Sequence, residues 1–363
     1  LLVLQKWLEE SEQHFLLFHA YRQDWIQAGC VQRYQTEEAW KKVEHRLFHR
    51  MSVKHLFLWT RIAGYAALVV LMIAVGYVFM RRDQDKDQAY VVEGNIEPGG
   101  KKAILVLGSD EKVVLGDEAE ETLLAGNTTV KKEGNTLVYG EKHAKETAGE
   151  YNRLITPRGG EYAVVLADGT KVWLNSETRL EYPLAFGEHS REVRLSGEAY
   201  FEVTKDEARC FNVIMEGATI EVMGTSFNAS CYPGEGQCWA VLESGKINLR
   251  TDHGVAAVNV GECASCDIAS GKVTVETVDL KYFTSWRYGT FYFYNTPLSE
   301  IVQKLGRWYD VHFKFADESL RDVCFSGAAL RSKPIDFMLE LLSSTQSLKF
   351  DIQSDGMIMI YKK

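Results

Sequence analysis

Cysteine is scarce in this sequence, and the common fingerprints of catalysis and of cofactor binding are missing from it. Seven cysteines among 363 residues are too few for a small framework held together by disulfides. No GxSxG, HExxH, P-loop or dinucleotide-binding pattern occurs in the chain. The sequence therefore predicts a protein that is not an enzyme and that carries no cofactor.

The chain also lacks an excess of basic residues. It has 41 Lys and Arg against 50 Asp and Glu, which gives a formal net charge of −9. A protein that binds nucleic acid usually presents a basic surface to the phosphates. We therefore expect no direct contact with nucleic acid.

The sequence pattern of a zinc site is incomplete. Cys263 and Cys266 form a Cys-x-x-Cys pair, but no second such pair and no His pair stands at the spacing of a zinc site. We expect no metal ion. Two interpretations of the pair remain open, a local disulfide or two unpaired thiols.

One long hydrophobic run, residues 62–80, stands out near the start of the chain. Its nineteen residues include no charge, and Arg61 and Arg81 bracket it. At about 1.5 Å per residue such a helix nearly crosses a ~30 Å hydrocarbon core, and the apolar residues just upstream extend it. A cleaved signal peptide would lie at the N-terminus, whereas this run follows 61 residues. We predict an uncleaved helix over residues 56–82 that spans a lipid bilayer.

The charges that flank this run predict its orientation. Residues 41–61 hold six Lys and Arg, whereas residues 81–101 hold four. The flank that is richer in Lys and Arg usually faces the cytoplasm. The N-terminus is therefore predicted to be cytoplasmic and the C-terminal part to lie on the other side. Six of the seven cysteines fall in that C-terminal part, where disulfides can form.

Residues 1–55 have the pattern of a few short amphipathic helices. So short a segment buries a large core only with difficulty. Its aromatic faces are therefore either completed by another protein or packed inside an ordinary small helical bundle. Aromatic side chains recur at helical spacing at Phe15, Phe18, Tyr21 and Trp25, with Trp40 on the stripe of a further helix.

Residues 83–280 have the pattern of an all-β domain, with short alternating runs, frequent Gly and scarce Pro. Two hairpins are predicted over residues 103–115 and 162–174, the second around an Asp-Gly turn. Their sequences are alike, which indicates either a loose internal repeat or convergence of two hairpins. Further separate strands are predicted over residues 192–195, 199–203, 211–215, 220–223, 238–242, 246–249, 256–260 and 272–277.

In residues 281–363 the spacing of hydrophobic residues changes from that of strands alone to that of strands and helices in turn. This pattern predicts a compact α+β domain with the order β-α-β-β-α-β-β. Pro297 and Pro334 mark the predicted starts of its two helices. The first strand, residues 290–294, carries aromatic residues on both faces. One face is expected to lie in the core. The other is either a docking surface or is covered by a helix or by the neighbouring domain.

Four long segments carry a resemblance to a known family. The sequence resembles the FecR-type transmembrane sigma-factor regulators, the anti-sigma proteins of cell-surface signalling in Gram-negative bacteria. The resemblance implies a multi-domain chain: a small α-helical cytoplasmic domain (1–55), one transmembrane helix (56–82), an all-β periplasmic domain (83–280) and a C-terminal α+β domain (281–363). That last domain is similar to the short N-terminal domain of secretins and TonB-dependent transporters. The segments are ITPRGGEYAVVLADGTKVWLNSETRLEYP (155–183), LSGEAYFEVTKD (195–206), IEVMGTSFNAS (220–230) and TPLSEIVQKLGRWYDVHFKF (296–315).

The resemblance also implies partners on both sides of the inner membrane. Inside, an extracytoplasmic-function sigma factor is the expected partner, and outside it is the signalling domain of an outer-membrane TonB-dependent transporter. An intramembrane protease is a further expected partner if the signal is relayed by proteolysis. The alternatives are a membrane-anchored envelope enzyme or a secretion-system component without a sigma partner. The candidate sigma contacts are Trp7, Phe15, Phe18, Tyr21, Trp25 and Trp40, and the candidate transporter contacts are Phe291, Tyr292, Phe293, Tyr294 and Trp308.

Some regulators of this family are cut at a Gly-Thr bond, which corresponds here to Gly224-Thr225. The threonine hydroxyl attacks the preceding carbonyl in an N→O acyl shift when the peptide is held under strain. The other interpretation is structural: Gly224 permits a tight turn and Thr225 begins a strand.

Overall fold

The computed structural model describes residues 96–116, 122–125, 128–133, 136–139, 150–353 and 355–363. The predicted cytoplasmic helices and the predicted transmembrane helix lie outside these ranges. Within them, no helix combines the length and the apolar character that a membrane span requires. The described part of the chain is mostly β-strand with few helices.

Nineteen of the described strands precede the first described helix. They are β1 Gly100–Lys101, β2 Ala103–Val106, β3 Lys112–Leu115, β4 Thr122–Ala125, β5 Thr128–Glu133, β6 Thr136–Tyr139, β7 Tyr151–Thr156, β8 Gly160–Val165, β9 Lys171–Leu174, β10 Thr178–Pro183, β11 Ser190–Glu202, β12 Cys210–Met215, β13 Ala218–Val222, β14 Ser226–Cys231, β15 Gln237–Ser244, β16 Ile247–Thr251, β17 Gly254–Val258, β18 Glu262–Asp267 and β19 Val273–Thr277.

All of these strands except β1, which pairs with β8, form two sheets that share β11. The first sheet has the order β3-β2-β7-β10-β11-β12-β13-β16-β17, and the second has the order β4-β5-β6-β8-β9-β11-β14-β15-β18-β19. Alternating residues of both sheets, such as Leu154, Phe211 and Phe227, are fully buried in one hydrophobic core. We call this assembly the β-unit. The two predicted hairpins are confirmed as the antiparallel pairs β2–β3 and β8–β9.

The prediction of two separate strands over residues 192–195 and 199–203 is wrong, because both belong to β11. Residues 190–196 of β11 pair within the first sheet, and residues 197–202 pair within the second. The change of sheet occurs at Gly197, whose φ is 111°. A Cβ there would lie 2.4 Å from the hydroxyl oxygen of Thr178, so only glycine fits this crossing.

Alternation alone does not identify β14, which carries polar residues, although the structural interpretation of Gly224-Thr225 has a strand begin there. Asn228 and Ser230 on this strand are buried, although alternation predicts that polar residues face water. The amide nitrogen of Asn228 donates to the carbonyl of Phe283 at 2.7 Å, in a helix that covers this strand. Tertiary packing therefore overrides the local pattern.

The remaining elements surround a second core. They are α1 Leu280–Thr284, a 3₁₀ turn Ser285–Tyr288, β20 Thr290–Pro297, α2 Leu298–Tyr309, β21 His312–Phe315, a 3₁₀ turn Glu318–Asp322, β22 Cys324–Leu330, α3 Ile335–Thr345, β23 Leu348–Ile352 and β24 Met357–Lys362. From β20 onwards the order is the predicted β-α-β-β-α-β-β. We call residues 290–363 the C-terminal unit.

Two small sheets and two helices pack together in the C-terminal unit. β20 pairs with β22, and β24 lies between β21 and β23. Leu298, Ile301 and Leu305 on α2 and Ile335 on α3 are fully buried between them. The apolar residues that recur at helical spacing on each helix therefore face this core, as the sequence predicts.

Replacing Gly197 tests the crossing between the sheets. We expect Gly197→Ala to lower the free energy of unfolding of residues 96–363 by about 2–4 kcal/mol, because the new methyl group meets Thr178 and φ is positive. Gly187→Ala is the control, since the nearest atom to its Cβ is 3.6 Å away. Chemical denaturation measures both, and equal losses in the two variants would contradict the assignment.

Candidate functional site

The β-unit and the C-terminal unit meet at a junction where Arg158 reaches across to α2. Arg158 lies in the turn between β7 and β8. One of its terminal nitrogens donates to the carbonyls of Gly306 and Val311 at 2.7 and 2.8 Å. Its other nitrogens bind Asp310 at 3.0 Å and Glu177 at 3.1 Å. The last carbonyls of a helix lack partners within the helix and carry partial negative charge, so this arginine caps α2 from the other unit.

Two glycines let the same turn approach its neighbours closely, Gly159 against α2 and Gly160 against Lys102. The amide of Gly159 donates to the carbonyl of Arg307 at 2.7 Å, and its φ is 65°. A Cβ on Gly160 would lie 2.6 Å from the carbonyl oxygen of Lys102. The Pro-Arg-Gly-Gly turn at residues 157–160 is therefore shaped for contact with the last turn of α2.

A buried arginine of the C-terminal unit reaches in the opposite direction, to the β-unit. Arg331 follows β22 and is 2 % exposed. Its guanidinium pairs with Glu161 on β8 at 3.1 Å and donates to the side-chain oxygen of Asn175 at 3.0 Å. It also donates to the carbonyl of Trp286 and stacks 3.7 Å from the ring of Trp308. Burial lowers the pKa of Arg331, and the charge of Glu161 opposes that shift.

A disulfide-closed loop provides a further contact. Cys231 and Cys238 are joined across β14 and β15, and the loop between them carries Tyr232 and Glu235. Arg307 of α2 stacks 3.6 Å over the ring of Tyr232 and pairs with Glu235. The disulfide therefore closes a loop that contacts the C-terminal unit.

The linker between the units consists of α1 and the 3₁₀ turn Ser285–Tyr288, and it also contacts the β-unit through an arginine. Arg287, in the 3₁₀ turn, pairs with Glu202 on β11 at 2.8 Å. It lies 4.0 Å from the ring of Tyr200 and 4.8 Å from the ring of Trp173. These cation–π contacts attach the linker to the outer face of the second sheet.

The structure separates the candidate transporter contacts into two groups. Phe291, Phe293 and Trp308 are only 5–6 % exposed and pack in the second core, so they are not available at the surface. Tyr292 is half-buried, and Tyr294 is 71 % exposed. The docking interpretation is therefore corrected for the first three, because the inward face of β20 is covered by α2. The candidate sigma contacts from Trp7 to Trp40 lie outside the described residues.

Gly224 and Thr225 lie just before β14, which begins at Ser226. Thr225 is 4 % exposed, and its hydroxyl donates to the carbonyl of Lys246 at 3.1 Å. A Cβ on Gly224 would lie 2.8 Å from the Cα of Lys205, so the close approach of two backbones requires glycine here. This packing supports the structural interpretation, while cleavage of the bond stays a prediction.

Of the two interpretations of the Cys-x-x-Cys pair, unpaired thiols are confirmed. Cys263 and Cys266 lie three apart on β18, so their side chains point to opposite faces of the sheet and do not meet. Burial raises the pKa of the Cys263 thiol to about 11. Among the residues that the structure describes, no cluster of His, Cys, Asp and Glu is arranged to hold a metal ion.

Sequence reasoning did not identify the junction arginines as functional. Arg158 lies inside a segment that carries the family resemblance, so that segment was the available signal. Arg331 had no local signal, because its partner Asn175 is 156 residues away in the sequence.

Removing Arg331 tests the junction. We expect Arg331→Ala to lower the free energy of unfolding of residues 96–363 by about 3–5 kcal/mol, because it leaves the carboxylate of Glu161 without its buried partner. The control is Arg321→Ala, which breaks an exposed pair with Glu318 and should cost at most about 1 kcal/mol. Denaturant titration distinguishes the two, and a loss below about 1 kcal/mol for Arg331→Ala would contradict the role given to it.

Comparisons with known proteins agree with this arrangement. Residues 152–248 match the FecR protein family, and residues 290–359 match the FecR C-terminal family. The two matched segments thus lie on opposite sides of the junction. No curated protein matches the chain.

Two crystal structures are similar to the chain. Both come from a Parabacteroides distasonis ATCC 8503 protein assigned as an anti-sigma factor, with 26% identity and a TM-score of 0.54. The alignments cover 58% and 59% of this chain and 99% of the other chain. The FecR anti-sigma family is regulatory and typically not enzymatic. Its anti-sigma character implies a sigma factor as partner. The chain thus contains both domains of the FecR family, and these domains together with the structural similarity support a FecR-type anti-sigma factor with the role of a sigma regulator.

Proposed function

We propose that this protein is a single-pass regulator of the inner membrane. It binds an extracytoplasmic-function sigma factor in the cytoplasm and controls it according to a signal from the periplasm. The observation that carries this proposal is the junction, since it joins the two family domains into one compact body over residues 89–363. A compact body of this kind is suited to pass a change at one surface to the rest of the chain.

The proposed location has support from two independent features. Residues 62–80 form an uncharged run with the richer basic flank on its N-terminal side. The Cys231–Cys238 disulfide in the C-terminal part suits an oxidising compartment such as the periplasm. In this proposal residues 56–82 cross the lipid bilayer, the N-terminus is cytoplasmic and the C-terminus is periplasmic.

The proposed outer partner is the signalling domain of an outer-membrane TonB-dependent transporter. On β20 the outward-facing Tyr294, with the half-buried Tyr292, remains available for this contact. In the described part of the chain β22 pairs with β20 alone, so its other edge is open to strand addition. The buried Phe291, Phe293 and Trp308 support this surface from inside.

The signal reaches the sigma factor in one of two ways in this proposal. Either the predicted transmembrane helix moves, or an intramembrane protease cuts the chain and frees residues 1–61. Both routes act on the same inner domain, whose aromatic residues are the proposed sigma contacts.

Co-purification tests the proposed function. We expect residues 1–61 to capture one of the candidate extracytoplasmic-function sigma factors. Trp25→Ala should weaken that capture at least tenfold, because truncation of a buried aromatic anchor typically costs about 2–4 kcal/mol. Gln23→Ala is the control, since it changes a polar residue in the same predicted helix. Failure to capture any sigma factor would overturn the proposal.

A further inference from the structure

The described part of the chain begins with a short segment, Ile96 to Lys101, that we call the strap. Its first residue packs on the C-terminal unit, since Ile96 contacts the second core. The carbonyl of Ile96 accepts from the amide of Ile335, the first residue of α3, at 3.3 Å. The first amides of a helix have no partner within the helix, so the strap caps α3 through its backbone.

The middle of the strap lies against the last turn of α2. A Cβ on Gly99 would lie 2.7 Å from both the ring and the carbonyl oxygen of Trp308, and 2.9 Å from the carbonyl oxygen of Gly159. No side chain fits in this space without displacement of backbone atoms. Gly99 is therefore enclosed by both sides of the junction.

The end of the strap joins the β-unit. As strand β1, Gly100 and Lys101 run parallel to Gly160 and Glu161 of β8. The side chain of Lys101 pairs with Glu161, the same carboxylate that holds the buried Arg331. One carboxylate thus serves the strap and the junction together.

We propose that the strap is a latch whose attachment depends on a closed junction. It contacts α2 and α3 on one side and β8 on the other, so separation of the two units breaks its contacts. The chain that enters the strap comes from the predicted transmembrane helix. On the proposed function, the state of the C-terminal unit therefore reaches the membrane through these six residues and not through the bulk of the β-unit.

The strap can carry this change because it is short and is attached at both of its ends. Six residues span at most about 20 Å when fully extended, which leaves little slack between its two attachments. A partner that binds the C-terminal unit and changes its position against β8 must pull on this segment or release it. By linkage, release of the strap must in turn weaken the junction.

Hydrogen exchange of the full chain in detergent micelles tests this coupling in both directions. We expect Arg331→Lys to speed amide exchange in residues 96–101 at least tenfold, because the loss of the guanidinium contacts with Asn175, the carbonyl of Trp286 and the ring of Trp308 loosens the junction. The control Arg321→Lys should leave strap exchange within twofold of the unaltered chain. Retained protection of β11 and β14 verifies that the β-unit stays folded.

Variants of the strap supply the reciprocal measurement. Gly99→Ala should speed exchange of the Gly159 amide and of the first turn of α3 at least tenfold. Gly100→Ala is its matched control, because nothing lies within 4 Å of the added Cβ, and exchange there should stay within twofold.

The inference is overturned if strap exchange is unchanged in Arg331→Lys, or if Gly99→Ala and Gly100→Ala behave alike. These measurements need no sigma factor. A failure to capture sigma factor therefore counts against the proposed function alone, and uncoupled exchange counts against the latch alone.

Discussion

The buried ion pair between Arg331 and Glu161 is the interaction on which the junction between the two units depends. A guanidinium out of water costs several kcal/mol unless opposite charge and hydrogen-bond acceptors surround it. Here the acceptors are Glu161 and Asn175 from the β-unit and the carbonyl of Trp286 from the linker. The arginine belongs to the C-terminal unit, so its burial is favourable only when both units and the linker are in place together. The contacts of the junction therefore form together or not at all.

The segments that carry the family resemblance gain a physical meaning from this junction. The turn at residues 157–160 approaches α2. The end of α2 and the residues just after it, 306–311, supply the two carbonyls and the carboxylate that Arg158 binds. The second half of β11, by contrast, belongs to the β-unit alone. Segments 155–183 and 296–315 thus encode the two sides of one interface. Segment 195–206 contains Gly197, where β11 passes from the first sheet to the second.

Local sequence pattern predicted the elements whose stability is local. The hairpin with the Asp-Gly turn and the two amphipathic helices of the C-terminal unit follow from turn chemistry and from periodicity. The pattern failed where distant residues decide the structure. Asn228 on β14 is buried where it bonds to Phe283 of α1 and to Glu198 of β11, and Arg331 meets partners far away in the sequence. Alternation also showed that β20 has two aromatic faces, but only the packing of α2 decides that Phe291 and Phe293 face inwards and Tyr294 outwards.

Differential scanning calorimetry of residues 96–363 tests the central claim most directly. If the buried ion pair and the cap on α2 join the two cores into one cooperative body, the fragment unfolds in a single transition. Its calorimetric enthalpy should then equal its van't Hoff enthalpy. Combining Arg158→Ala with Arg331→Ala should split that transition in two, because the two substitutions together remove the cap on α2 and the ion pair while leaving each core intact. Two separate transitions in the unaltered fragment would contradict the account.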